Sequence, residues 1–350
     1  MKNLYVALSL LLSASYTFAQ NGGKTVFNFL NHSTSARMTG LGSNMIATKD
    51  KELALAWFNP ASLSKEMDGQ VAVSYDAMPQ GVGTAYLGYA KHIEKANMTF
   101  HAGLQYFTYG TFDAADEFGN KQGTFSAQDM ALVIGAARQL SEKWSLGLNT
   151  KFIYSNLETY TATGFSSDVA GTYFDPEKRI TFTLLAKNIG FQASTYTNTA
   201  RGSLPFELQM GVSKRLKHLP FRVGLIAKDL QKWNVTYKDP NAKVETSVIG
   251  EATKETPAIL KQLDNVARHL LLNGEFYLGK KENIAVRFAY NHLAKKELSV
   301  APLRSLTGFS LGFGVKIKRF RVDFGHNFLH TAGGFNHFTF STGLGNFKKK

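Results

Sequence analysis

From residue 69 onward, apolar residues alternate with small or polar ones, and this period of two recurs in about fourteen stretches. Trp144, Leu146, Leu148, Phe152 and Tyr154 share one face of a stretch whose other face holds Ser145, Gly147, Asn149 and Lys151. Phe309, Leu311, Phe313, Val315 and Ile317 oppose Ser310, Gly312, Gly314 and Lys316 in the same way. Each stretch has about the ten residues that a tilted strand needs to cross a bilayer. In the hydrocarbon interior every backbone N–H and C=O must find a partner in the protein, so a chain that crosses with strands has to close into a barrel. The expected fold is all-β, a membrane-spanning antiparallel β-barrel of about 14 strands. Phe313 and Leu148 then face lipid, and their inward neighbours Gly314 and Asn149 are expected to accept small polar residues far more easily than the lipid-facing pair accepts Arg.

The links point the same way. Short links near Lys95, Ser141, Pro176, Lys217, Lys280 and Lys318 alternate with longer ones at 110–125, 158–165, 190–204, 234–267, 292–305 and 330–334. A soluble sandwich has no reason to sort its loops by end, whereas outer-membrane barrels carry short periplasmic turns and longer external loops. Both termini are therefore expected in the periplasm.

Residues 1–19 resemble a cleavable signal peptide. Lys2 supplies a positive start, Leu4 to Leu12 an apolar run, and Thr17-Phe18-Ala19 a small-residue cleavage site. That run is too short to span a bilayer as a helix. The chain has no cysteine, which excludes disulfides and thiolate chemistry. Lys and Arg number 40 against 26 Asp and Glu, a net charge of +14. On an exported chain with dispersed charge, this points to anionic lipid headgroups, lipopolysaccharide phosphates or acidic partners, and not to nucleic acid.

Two segments lack strand alternation. Residues 20–68 carry apolar anchors such as Phe27, Phe29, Leu30 and Trp57 among Gly, Ser, Thr and Asn, and are expected to form a plug inside the barrel of residues 69–350. In 234–267, Thr256 as N-cap, Pro257 at the first helical position, and Ile259, Leu260 and Leu263 at helical spacing predict a short helix in an external loop. With no core to enter, those three residues are candidates for docking a partner. Inward glycines (Gly103, Gly135, Gly147, Gly211, Gly224, Gly312, Gly314) either make room for something in the lumen or relieve barrel curvature.

No catalytic constellation is present. The chain has neither a G-x-S-x-G elbow nor an H-E-x-x-H, and Thr39 to Asn44 lacks the Lys and flanking elements of a phosphate-binding loop. His326, His330 and His337 are the closest histidine group, with no carboxylate cluster to make them a metal site. No cofactor is expected. The informative charges are inward. Glu275 and Arg287 fall on facing positions of adjacent strands, and Lys316 and Asp323 form a second expected pair, both suited to tying the wall to itself or to a plug.

The motifs at the start of the chain resemble a known family. Gly22-Gly23-Lys24-Thr25-Val26-Phe27-Asn28-Phe29-Leu30, then Ser35-Ala36-Arg37, Gly40-Leu41-Gly42 and Asn59-Pro60-Ala61 occur in the order found in the PorV/PorQ family of the type IX secretion system, itself similar to the FadL long-chain fatty-acid transporters. The early Gly-Gly and compact length resemble PorQ more than PorV. The resemblance implies a FadL-like barrel of fourteen strands in the outer membrane. It also implies a non-enzymatic role: anchoring the cell-surface attachment complex beside a PorZ-like surface subunit, a PorU-like sortase and a PorV-like barrel. Asn59-Pro60-Ala61 would then be structural, a turn where plug becomes wall. The competing reading is a FadL-like transporter of hydrophobic small molecules.

Overall fold

The computed structural model describes residues 25–197, 200–236, 257–299, 305–330 and 333–344. The signal-peptide expectation and Thr256 lie outside them. Fourteen strands form one closed antiparallel barrel in which each pairs with its sequence neighbours and β1 (Gln70–Ala77) closes on β14 (Gly333–Gly343). Between these run β2 (Gly83–Ile93), β3 (Met98–Ala115), β4 (Lys121–Gln139), β5 (Trp144–Leu157), β6 (Tyr160–Asp175), β7 (Ile180–Ser194) and β8 (Glu207–Arg215). The circuit continues with β9 (Phe221–Ala227), β10 (Leu270–Leu278), β11 (Ile284–Asn291), β12 (Phe309–Ile317) and β13 (Phe320–His330). Closure leaves no unpaired edge, which is what the alternating pattern requires of a chain in lipid.

The faces follow the sequence parity. Along β5, Trp144, Leu146, Leu148 and Phe152 are exposed while Ser145, Gly147, Asn149 and Lys151 are buried. The same holds on β12, where Leu311 and Phe313 are exposed and Gly312 and Gly314 buried. An outward surface of Leu, Ile, Val, Phe and Tyr thus surrounds a polar interior, as a membrane-spanning barrel demands. Phe313→Arg is expected to cost about 2–4 kcal/mol at mid-strand, read as a lowered denaturant midpoint of the barrel in lipid vesicles. An unchanged midpoint would mean that this face does not meet lipid.

At the end of the barrel where the N-terminal segment joins β1 at Gln70, the strand links are uniformly brief: 94–97, 140–143, 176–179, 216–220, 279–283 and 318–319, whereas Thr25 bridges Ser203 at the opposite end. The other end is more varied than expected. Two of the anticipated long loops, 110–125 and 158–165, are mostly strand. β3 and β4 continue as a paired hairpin through Thr111↔Ser126 and Phe112↔Phe125 to a turn at 116–120. β5 and β6 reverse at 158–159, with Glu158 at φ 59°. Beyond the bilayer both faces of a hairpin are wet, so apolar alternation stops although the backbone ladder goes on. Of the remaining connections at this end, the β9–β10 link carries α2 (Ala258–His269) and the β11–β12 link carries α3 (His292–Leu298). The α2 helix begins one residue after Pro257 and runs two residues past 267.

Residues 25–68 form no strand and pack against the inward face of the wall. They contain a single turn of helix, α1 (Ala36–Gly40), and 3-10 turns at Asn28–Asn31, Leu53–Trp57, Pro60–Ser62 and Lys65–Met67. Leu30, Met38, Leu53, Trp57 and Phe58 of this segment meet Tyr86, Val133 and Ile153 of the wall in one apolar cluster, and Ile46 and Ala61 meet Leu185, Ile226 and Leu271 in a second. The hydrophobic core of the protein therefore lies inside the barrel.

The inward glycines make room for neighbours of two kinds. A Cβ on Gly211 would press on Ile46 and Ala47, one on Gly312 would lie 3.0 Å from Cα of Gly40, and one on Gly147 would collide with the backbone of Pro60 and Ala61. These three make room for the N-terminal segment. Gly103, Gly135, Gly224 and Gly314 instead make room for side chains of the wall: Tyr86 and Val133, His101 and Asn149, Asn273, and Asp323 with Arg287.

Candidate functional site

The interior at membrane depth is organised by charge. Glu275 and Arg287 are register partners on β10 and β11, with Arg287 Nε donating to Glu275 Oε1 at 2.8 Å. The other expected pair does not form. The β12–β13 turn takes only 318–319, so Lys316 faces Arg321 and Asp323 faces Gly314. Lys316 is exposed at the end of its strand, whereas Asp323 is buried and held by Arg321 Nε at 2.6 Å, with Arg287 Nη1 at 2.7 Å. Counting inward positions correctly placed both residues on one parity, but the tight turn shifted their depth by two. Gly314 opposite Asp323 leaves the space that Arg287 reaches into from the next strand.

What sequence parity could not supply is the centre of the network, Arg37, which comes from the N-terminal segment. Its side chain is 1% exposed. Nη1 donates to Glu52 Oε2 at 3.0 Å and Nη2 to Glu275 Oε2 at 2.7 Å, and Asp50 also pairs with Nη2. Arg222 of β9 holds Asp50 through Nη2 at 2.8 Å and approaches Glu275 at 3.3 Å, while Arg321 lies 3.5 Å from Glu52. Four arginines (Arg37, Arg222, Arg287, Arg321) thus face four carboxylates (Asp50, Glu52, Glu275, Asp323). The formal charges balance, so the cluster presents no net charge to attract a solute ion. Burial works against the Asp50 carboxylate, but Arg222 and Arg37 outweigh it and hold that group well below the usual carboxylate range.

A second set of contacts holds the segment from the other side. Lys151 pairs with Asp168 at 2.7 Å with its ammonium 5.0 Å from the centre of the Trp57 ring. Lys187 pairs with Glu207 at 2.9 Å and sits 5.1 Å from the Phe58 ring. Asn149 Nδ2 donates to the carbonyls of Ala56 at 2.9 Å and Trp57 at 3.0 Å. Ser at 149 could not span both carbonyls, so even a small polar replacement at this inward position gives up contacts with the segment. A Cβ at Gly314 would press on the Asp323 carboxylate and the Arg287 guanidinium, so a side chain there must shift that pair. Burial pushes Lys49 down to about 8, with Glu66 opposing the shift. Its ammonium donates to the carbonyls of Ala61 at 2.8 Å and Leu63 at 3.2 Å and to Ser145 Oγ at 3.0 Å.

The remaining motif residues belong to the same lock. Ser35 Oγ donates to Glu52 Oε1 at 2.8 Å, and the Ala36 N–H donates to Thr339 Oγ1 of β14 at 2.8 Å. Asn59 caps the turn at Pro60 by accepting from the Ala61 N–H at 2.9 Å, and it donates to the Ile46 carbonyl at 2.7 Å and to Thr172 of β6 at 3.3 Å. The turn is not where plug becomes wall. It lies against β4, β5 and β6, and the wall begins only at Gln70. Of the histidine group, His337 is buried 2.9 Å from Thr39 Oγ1, His326 meets Asn336 on the other face of the hairpin, and the three do not converge. Ile259, Leu260 and Leu263 are all exposed on α2, far along the chain from this lock.

Closed antiparallel topology, an apolar exterior and an interior in which residues 25–68 pack against buried ion pairs define a membrane-spanning β-barrel. The model of the family described as "Type IX secretion system protein PorV" matches residues 17–184. No curated protein matches the chain. Among solved structures it is similar to the Pseudomonas putida toluene transporter TodX (12% identity, 89% of this chain and 96% of that chain, TM-score 0.48). It is also similar to the CymD monoaromatic hydrocarbon channel (13% identity, 90% and 97% covered, TM-score 0.49).

Proposed function

We propose that the protein is a non-enzymatic outer-membrane barrel of the type IX secretion system, serving as an anchor for other components and not as a solute path. The observation that carries this reading is the lumen, where the Arg37 network and the Asn149–Trp57 contacts hold residues 25–68 against the wall. The family match over 17–184 supplies the secretion context. The first and last strands have their outer ends, Gln70 and Gly343, in the periplasm in this reading, because the uniformly short turns share that end, while Thr25 bridges Ser203 at the other. In its finer form the protein is PorQ-like: it holds the attachment complex, with a PorZ-like surface subunit, a PorU-like sortase and a PorV-like barrel as partners, in contact with outer-membrane lipid and lipopolysaccharide. Transport of hydrophobic small molecules would require a continuous open apolar route, and the apolar space inside the barrel is filled by residues 25–68 and flanked by buried ion pairs.

Two measurements test this. Affinity capture from detergent-solubilised outer membranes, read by mass spectrometry, should recover type IX secretion components. Purified barrel in planar bilayers should show no open-channel conductance. Capture of none of those components, together with steady conductance, would replace the anchor with a channel.

A further inference from the structure

The α2 helix has two unlike sides. Asp264 lies 3.0 Å from His292 Nε2, and Arg268 lies 3.9 Å from Glu297, so this side faces α3. Asn265 Nδ2 donates to the Trp233 carbonyl at 2.6 Å, and the His269 ring meets the Lys228 carbonyl at 2.8 Å, so the adjacent side faces 228–235. In turn, α3 sits over the mouth of the lumen, where Ala294 lines a cavity with Ser33 and Asn44 of the N-terminal segment. The opposite side of α2 carries Ile259, Leu260, Leu263 and Val266, each between 43% and 66% exposed. That side therefore points away from the lumen mouth.

Two further facts say what covers it. The helix passes without a linker into β10 at Leu270, whose next outward residue, Leu272, is exposed in the lipid-facing surface. Beside the helix, Trp233 is 81% exposed, with Leu230 exposed nearby in sequence, and tryptophan favours the headgroup level of a bilayer. We propose that α2 is an interfacial helix whose apolar side, with Trp233, rests in the acyl–headgroup boundary of the outer leaflet and extends the barrel's lipid contact sideways. A helix with one charged side tied to protein and one apolar side continuous with a lipid belt is what in-plane membrane binding needs. Its partner is the lipid surface itself, in place of the protein docking that the sequence suggested for Ile259, Leu260 and Leu263.

The chain has no cysteine, so nitroxide labels can be placed one at a time. Ile259→Cys, Leu263→Cys and Val266→Cys would be compared with Leu272→Cys as the lipid reference and Lys261→Cys as the water reference. The barrel is reconstituted in vesicles of phosphatidylethanolamine and phosphatidylglycerol, with folding checked by heat-modifiable gel migration. Spin-relaxation accessibility to oxygen relative to a water-soluble nickel chelate should be several-fold higher at the three helix sites than at 261, approaching 272. A ratio equal to that at 261 would place the face in water and restore protein docking as its use. Low accessibility to both reagents would place it under protein, either residues 237–256 or a second copy. Either result overturns the proposal.

Discussion

Arg37→Met is expected to release the N-terminal segment from the wall while the barrel remains closed. The substitution keeps most of the side-chain volume but leaves Glu52 and Glu275 buried, and Asp50 half-buried, around a missing cation. Breaking a buried pair by removing one partner costs about 3–5 kcal/mol. The wall keeps its own locks, Arg287 to Glu275 and Arg321 to Asp323, so its ladder is not the part that fails. The readouts are protease access to residues 25–68 and a change in Trp57 emission, since Trp57 is fully buried in the native interior. Gel migration should still report a folded barrel. Protease resistance and Trp57 emission identical to the parent would show that the Arg37 cluster does not hold the segment.

Gly147→Val is expected to have a similar effect by a steric route. The added Cβ would meet the backbone of Pro60 and Ala61, with the Ala61 Cα at 2.8 Å, and backbone cannot rotate away as a side chain can. Forcing extra atoms into a filled interior typically costs about 1–3 kcal/mol. Here it also breaks the Asn59 turn and the Asn149 contacts beside it. Gly171→Val is the control on the paired strand, because its Cβ would meet only Leu146 at 3.4 Å. In planar bilayers Gly147→Val should conduct ions where the parent and Gly171→Val do not. A silent Gly147→Val barrel with residues 25–68 still protected would mean that the interior yields more easily than its packing indicates.

The wall was legible because a strand's two faces meet two different solvents. Wherever the chain crosses the bilayer, period-two alternation is enforced residue by residue, so the strand number, the outward Phe313 and Leu148 and the inward Lys151 and Arg287 could all be read locally. The signal ended where both faces become wet, which is why the β3–β4 and β5–β6 hairpins look like loops in the sequence. Depth along a strand was less legible than face. Lys316 and Asp323 share a parity, but the two-residue turn at 318–319 sets them two positions apart.

The sequence by itself determined that this chain must close into a barrel, which residues face out, and that Glu275 lies opposite Arg287. Only the tertiary structure decided what fills the barrel and how it is held. Asp50 and Glu52 have no strand parity, and Arg37 meets Glu275 across 238 residues of chain. Their pairing depends on where an irregular segment settles against a curved wall, and no local period encodes that position.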